Sequence, residues 1–242
     1  MGTPQHRQTE VQDEMAQLCN FIAISAVKQE EFRQAEQFLR RALRYSRHSP
    51  YLMLVSYNNW SCLYKKTLNN SMALLTIGKA VALANYISEK EECLPVEKIK
   101  LLADSHINLC VVLSQMGEHQ QALENANTAL EWIEKYNGRV NGERLTVKSL
   151  NDRNNVMVIA KYNAAVELEH LKRTDEARGL YEDIRDFLGK WNVSHPILRK
   201  VEKALKSMRE VKIRSTSRTS SARRRRFSTP KIEASTLSFE TR

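Results

Sequence analysis

Apolar residues recur along most of the chain every three to four positions, the spacing that puts side chains on one face of an α-helix. Short polar segments at residues 28–32 and 116–119 interrupt this pattern and mark tight turns between helices. The chain has only 7 Gly and 5 Pro, too few for the closely spaced turns of a β-sandwich or barrel. The pattern therefore predicts an all-α fold of amphipathic helices.

The helical pattern repeats four times. Each copy has a small residue, an apolar or small residue four positions later and, in three copies, Ala three positions further on. The first small residues of the copies are Ala35, Ala73, Ala122 and Ala177. A second amphipathic segment precedes each copy, and its own small residue stands twelve positions earlier, at Ala23, Ser61, Cys110 and Ala165. Because small residues let helices approach closely, the pattern predicts about four helical hairpins.

Other residues recur in register with these copies. Asn59, Asn108 and Asn163 each stand two positions before a small residue of the preceding segment. Over roughly residues 15–188 the pattern resembles the tetratricopeptide repeat (TPR) family, most specifically in the second and third copies, which carry Tyr57, Trp60, Ser61, Tyr64, Ala73, Ile77, Ala80, Leu109, Cys110, Leu113, Gly117, Ala122 and Ala129. The resemblance implies an α-solenoid whose first helices line a concave groove.

The spacing of the copies departs from that family. The first small residues are 38, 49 and 55 positions apart, whereas the family's period is about 34. Longer helices or inserted loops are therefore expected: a first helix starting near Pro95, another between residues 145 and 171, and a solvent-facing capping helix after His195. An irregular helical bundle is the alternative architecture.

Charge and composition divide the chain into three parts. The predicted boundaries are an N-terminal arm at 1–13, the helical solenoid at 14–211 and a basic, Ser/Thr-rich tail at 212–242. The tail has nine basic and two acidic residues, so it contributes +7 to a net charge of +10. Because the tail offers little apolar surface to bury, it is expected to be disordered or to be ordered by a partner.

The TPR register implies which residues face the groove, namely Ile24, Val55, Asn58, Cys62, Lys65, Asp104, Ile107, Val111, Tyr162 and Val166. Many of these are apolar, which suits an amphipathic helix or extended segment of a partner. The sequence is equally consistent with a groove filled by the chain's own long helices. Asn59 fits one position of the carboxylate clamp found in chaperone-binding TPR proteins, but Ile24, Asp104 and Asn108 replace other clamp residues, which argues against that subclass.

The tail carries the second binding signal. Arg223, Arg224, Arg225 and Arg226 form a compact cationic cluster suited to an acidic surface such as a tubulin tail, a nucleic acid or anionic lipid. Few aromatic residues accompany the cluster, so sequence-specific nucleic-acid recognition is not expected. Ser228 follows a basophilic kinase pattern and Thr229 a proline-directed one, and phosphate there would offset the positive charge. A solvated tail without a partner is the plain alternative.

No convergent set of catalytic residues or phosphate-binding loop stands out in the sequence, so an enzyme is not expected. The Cys and His residues are scattered, which predicts buried, reduced thiols and neither a metal nor a cofactor. No apolar run approaches the roughly 18 residues of a membrane span. The N-terminal segment lacks secretory and mitochondrial targeting signals, so a cytoplasmic location is expected.

These features favour a non-enzymatic scaffold, a structural subunit of a large cytoskeletal assembly associated with microtubules, such as the axoneme of a cilium. That setting rests on the basic tail and on family analogy. The alternative is a soluble TPR adaptor that binds a peptide or helix of a regulatory partner, with the tail serving nuclear import or phosphorylation control.

Overall fold

The computed structural model describes residues 4–90, 96–139 and 147–219, with side chains within 6–90, 98–135 and 148–210. These ranges are helical throughout apart from short turns, and they contain no strand. The nine helices are α1 (Pro4–Lys28), α2 (Phe32–Tyr45), α3 (Pro50–Lys66), α4 (Asn70–Lys90), α5 (Val96–Gln115), α6 (His119–Arg139), α7 (Val147–His170), α8 (Thr174–Trp191) and α9 (Pro196–Thr219). The predicted all-α class is confirmed.

Four helical pairs, α1–α2, α3–α4, α5–α6 and α7–α8, are joined by turns with the same geometry. The middle residue of each turn has positive φ, and these residues are Glu30, Leu68, Gly117 and Lys172. The next backbone N–H donates to the carbonyl five positions earlier, at 2.8–3.0 Å, as in a Schellman turn. Gly occupies this left-handed position in only one pair, so the other three turns form with a side chain present.

The pairs pack against one another in chain order. The first helices form a continuous series of contacts, α1 with α3, α3 with α5, and α5 with α7, which continues to α9. Each second helix also contacts the first helix of the next pair, while within the described residues the second helices do not contact one another. Helices α3, α5 and α7 therefore have neighbours on several sides, which buries most of their surface.

The long helices explain the irregular spacing of the sequence copies. Helices α4 and α6 each have 21 residues, and α7 has 24. Helix α5 starts one residue after Pro95, and α7 lies within the predicted 145–171 segment, so these two predictions agree with the structure. Longer helices thus widen the spacing between the copies, whereas the turn inside each pair keeps the same geometry.

The predicted N-terminal arm differs from the structure. Helix α1 begins at Pro4 rather than near residue 14, so most of the segment assigned to an arm at 1–13 is helical. Asp13 Oδ1 lies 2.8 Å from His48 Nε2, which ties this part of α1 to the end of the first pair. Helix α9 likewise continues to Thr219, beyond the predicted boundary at 211.

The small residues predicted from the pattern lie where paired helices meet. Ala35, Ala73, Ala122 and Ala177 have no exposed surface, and their upstream counterparts Ala23, Ser61, Cys110 and Ala165 are also buried. Ser61 Oγ donates to the carbonyl of Ala73 at 3.1 Å, which joins two of these positions directly. The described cysteines Cys19, Cys62 and Cys110 are buried, as expected.

One described helix, α4, is long and apolar enough by length and composition to cross a membrane, with a mean hydropathy of 1.2 over its best window. The sequence analysis did not anticipate this window. In the structure α4 packs against α3 and α5 through Ala73, Ile77, Ala80 and Ala84, which are fully buried. A core helix with one apolar face has the same composition, so the window alone is weak evidence for a span.

Candidate functional site

The predicted groove residues lie largely inside the folded chain. Val55 and Lys65 are partly exposed, whereas the other eight are buried, namely Ile24, Asn58, Cys62, Asp104, Ile107, Val111, Tyr162 and Val166. Their burial follows from the contacts between successive first helices. An open groove lined by these eight side chains is therefore not supported, and the alternative of a groove filled by the chain itself accounts for their burial.

A buried polar contact joins the first two pairs. Asn20 on α1 donates from Nδ2 to Ser56 Oγ on α3 at 2.9 Å, and its Oδ1 accepts from Asn59 Nδ2 at 3.0 Å. All three side chains are buried. Because unpaired amides are costly in a core, this exchange holds α1 and α3 in one register.

The same contact recurs one pair further along. Asn58 on α3 donates from Nδ2 to Ser105 Oγ on α5 at 2.8 Å, and its Oδ1 accepts from Asn108 Nδ2 at 3.0 Å. The Ser-x-x-Asn spacing of α3 is thus repeated in α5, and each copy receives an Asn from the preceding first helix. We call these two contacts the asparagine ladder.

The third junction, between α5 and α7, uses a different chemistry. Ile107 stands at the position of Asn20 and Asn58, and Ala160 stands at the position of the ladder serines. Both are fully buried and belong to one apolar cluster. Two of the ladder positions are therefore apolar at this junction, whereas buried Asn163 keeps the position of Asn59 and Asn108, so the exchange between Asn and Ser is not a general requirement for packing these helices.

A buried carboxyl group lies on α5. Asp104 is 2 % exposed, its Oδ1 has no hydrogen-bond partner among the described residues, and its Oδ2 is 4.0 Å from Lys100 Nζ. Burial raises the pKa of Asp104 to about 8, with Lys100 lowering it and Asp152 raising it. A carboxyl group in this setting retains its proton near neutral pH.

The Asp104 pKa predicts how stability varies with pH. The unfolded chain releases this proton near its ordinary value of 3.8, and the folded chain near 8, so stability falls as pH rises between them. Asp104→Asn removes this dependence and is expected to stabilise the fold by at least about 2 kcal/mol at pH 8.5, since each unit of raised pKa corresponds to about 1.4 kcal/mol, with little gain at pH 4. Urea unfolding at both pH values checks this, with exposed Asp183→Asn as the control. An equal effect of Asp104→Asn at both pH values would contradict the raised pKa.

A second buried carboxylate lies where α6 begins and α7 ends. Glu167 has no exposed surface, and its Oε2 is 2.8 Å from His119 Nδ1. The rings of His119 and His170 are stacked with centroids 4.1 Å apart. Burial and the neighbouring His119 lower the pKa of His170, with Glu167 opposing them.

This cluster has polar neighbours on two sides. Tyr181 donates its hydroxyl hydrogen to Glu169 Oε1 at 2.5 Å, and burial raises the pKa of Glu169. Burial also raises the pKa of the Cys110 thiol, with Glu167 adding to this effect, so the thiol is protonated. The described residues hold no group of three His, Cys, Asp or Glu side chains suited to a metal ion. The contact between His119 and Glu167 thus links α6 to α7.

The predicted tail site lies outside the described residues, which end at 219. This applies to Arg223, Arg224, Arg225 and Arg226 and to the phosphorylation candidates Ser228 and Thr229. The helix leading to the tail is described, and its outward face is basic, with Arg199, Lys203 and Lys206. The positive charge of the tail therefore continues onto the surface of the helical body.

Sequence reasoning missed the polar residues that connect the helices. Asn20 and Asn58 pair with partners 36 to 50 positions away, although the Ser-x-x-Asn spacing around Asn59 and Asn108 is a usable signal. Glu167 and His119 are 48 positions apart, and no local pattern relates them.

These contacts define an all-helical protein of four matched pairs and a final helix. No family model matches the chain, and no curated protein matches its sequence. Among solved structures, the chain is similar to the crystal structure of BtubC (BKLC) from P. vanneervenii, with a TM-score of 0.61 over 97% of this chain and 100% of that chain. At 16% sequence identity, the likeness shows a shared helical fold.

Proposed function

We propose that this protein is a non-enzymatic scaffold with a TPR-like solenoid as its body, acting as a structural subunit of a large assembly. The observation that carries the proposal is the regular series of pairs: four identical turns, and first helices that contact one another in sequence. Repeat proteins of this kind present long surfaces to partners, and their rigidity comes from contacts between neighbouring repeats.

Helix α9 serves as the cap of this solenoid. Its apolar face, with Ile197, Val201, Leu205 and Met208, is buried. Its opposite face exposes mainly charged side chains, as a terminal repeat requires.

The proposed setting is the cytoskeleton or cilium, with the tail binding the acidic surface of microtubules. The tail holds +7 of the net charge of +10, and the basic outward face of α9 leads into it. Arginine clusters form charge-assisted hydrogen bonds with carboxylates, and salt weakens such contacts. Phosphorylation of Ser228 or Thr229 would reduce this attraction and release the protein.

Cosedimentation with microtubules tests the setting. Because α9 continues to Thr219, the deletion begins at residue 220, which leaves the described helices intact. The full chain is expected to pellet with microtubules and to be released by salt, while the chain lacking 220–242 stays in the supernatant. A chain with Gln in place of Arg223, Arg224, Arg225 and Arg226 should behave like the deletion. Equal pelleting without the tail would refute the microtubule setting.

A further inference from the structure

An exposed apolar stripe runs along α1. Val11, Met15, Leu18 and Phe21 are 58%, 37%, 52% and 60% exposed. Their spacing places them on one face of the helix, over a length of about 15 Å. The contacts of α1 with α2 and α3 lie on its other side, which includes the buried Ala16, Asn20 and Ala23. We call these four residues the α1 stripe.

Exposed arginines lie along the neighbouring helix α2 and in the turn that follows it. Five exposed arginines occur between residues 33 and 47, and Glu36 is the one acidic residue in that segment: Arg33, Arg40, Arg41, Arg44 and Arg47. Arg40 pairs with Glu36 at 2.6 Å, whereas Arg33, Arg44 and Arg47 have no ionic partner in the described parts of the chain. We call these five residues the α2 arginine row.

The stripe and the row lie on neighbouring segments, because α1 and α2 pack against each other. Helices α1 and α2 form a closely packed pair whose shared core includes Ala23, Ala26, Ala35 and Leu39. Burial raises the pKa of the Cys19 thiol on α1, and the positive charge of Arg41 opposes this effect. Arg41 also lies over the ring of Phe38 at 5.3 Å, and Phe38 is a partly buried side chain of α2 that packs against the core shared with α1. A ligand lying on the α1 stripe would therefore meet positive charge along one edge.

We propose that this surface docks an amphipathic helix of a partner protein, one that has acidic side chains along the edge of its apolar face. The apolar face would cover the α1 stripe, and the acidic edge would pair with the α2 arginine row. The surface rests on the proposed scaffold role, for which it supplies a docking site distinct from the tail.

Other occupants fit the surface less well. A second copy docking α1 against α1 would bring two arginine rows to one interface, and like charges there oppose association. A nucleic acid would engage the arginines and leave the apolar stripe uncovered. An anionic membrane would present negative charge to Glu14, which is exposed between Val11 and Leu18 on the same face, whereas a partner helix can place an uncharged or basic side chain opposite Glu14.

A pair of designed peptides tests the proposal with the full-length protein. Both form amphipathic helices of about four turns with the same leucine stripe, and one has glutamates where the other has lysines along one edge of that stripe. Fluorescence anisotropy is expected to show at least tenfold tighter binding of the glutamate peptide. Leu18→Asp combined with Phe21→Asp should weaken that binding at least tenfold, and Arg41→Glu combined with Arg44→Glu should abolish the preference for glutamate.

Two matched variants control for surface and charge effects. Leu75→Asp places the same substitution at an exposed leucine of α4, and Lys203→Glu combined with Lys206→Glu makes the same charge change on α9. Both should bind the glutamate peptide like the wild type. Circular dichroism and unfolding midpoints verify that each variant is folded, and an α1 variant that unfolds is replaced by Leu18→Gln.

Three results would overturn the proposal. The first is equal binding of the two peptides, or binding that the α1 substitutions do not change. The second is a wild-type dimer in sedimentation velocity that Phe21→Asp dissociates, which would assign the stripe to a second copy. The third is flotation with vesicles containing phosphatidylserine that is lost in the same variant. Because the peptide assay contains no microtubules and the α1 variants retain the tail, its outcome is independent of the cosedimentation result.

Discussion

Replacing His119 by Ala is expected to destabilise the folded chain by about 3 kcal/mol. His119 Nδ1 lies 2.8 Å from Glu167 Oε2, and no other partner of that fully buried carboxylate is found among the described residues, where its Oε1 has no hydrogen bond. The substitution would leave a buried carboxylate without its partner and would also remove the ring stacked on His170. Urea unfolding followed by circular dichroism measures the change.

A second substitution separates the lost charge contact from the lost ring. Glu167→Gln added to His119→Ala removes the buried charge, so the double variant should be more stable than His119→Ala alone. His48→Ala is the matched control, because its contact with Asp13 is also 2.8 Å long but lies at the surface, where such pairs contribute about 0–1 kcal/mol. Equal losses of stability for His119→Ala and His48→Ala would mean that the buried contact stabilises the chain no more than the surface contact does.

The helices and their pairing could be predicted from sequence because they depend on local patterns. Ala35 and Ala73 mark helix faces through their spacing alone, and their burial follows from that geometry. The turns were located correctly at residues 28–32 and 116–119, but only Gly117 among the positive-φ residues signals its conformation. Leu68 and Lys172 take the same backbone shape with side chains that ordinarily disfavour it.

The candidate site could be predicted less well, because burial depends on contacts between distant segments. The TPR register places Asp104 and Ile107 on the groove side of one first helix, but it could not show that neighbouring first helices would cover them. From the sequence, Glu167 would be assigned to the exposed face of an amphipathic helix. Its role depends on contact with His119 of α6, which only the structure shows. The exposed α1 stripe could not be predicted either, because the sequence pattern alone does not show which apolar face remains uncovered.

The asparagine ladder gives the second large expected effect. Asn58→Ala should destabilise the chain by about 3 kcal/mol, because it removes the two buried hydrogen bonds that Asn58 makes with Ser105 and Asn108. Denaturant midpoints measure this loss. Asn127→Ala, on the exposed surface of α6, is the control and should change stability by less than about 0.5 kcal/mol.

The third junction indicates how the ladder could be replaced. Combining Asn58→Ile with Ser105→Ala copies the Ile107 and Ala160 arrangement into the second junction, and it should recover much of the stability lost in Asn58→Ala. If it does, the ladder contributes little net stability over apolar packing, and its role is to specify which faces of α1, α3 and α5 meet. If the double variant remains as unstable as Asn58→Ala, the hydrogen bonds themselves stabilise this junction, and the two chemistries are not interchangeable along the stack.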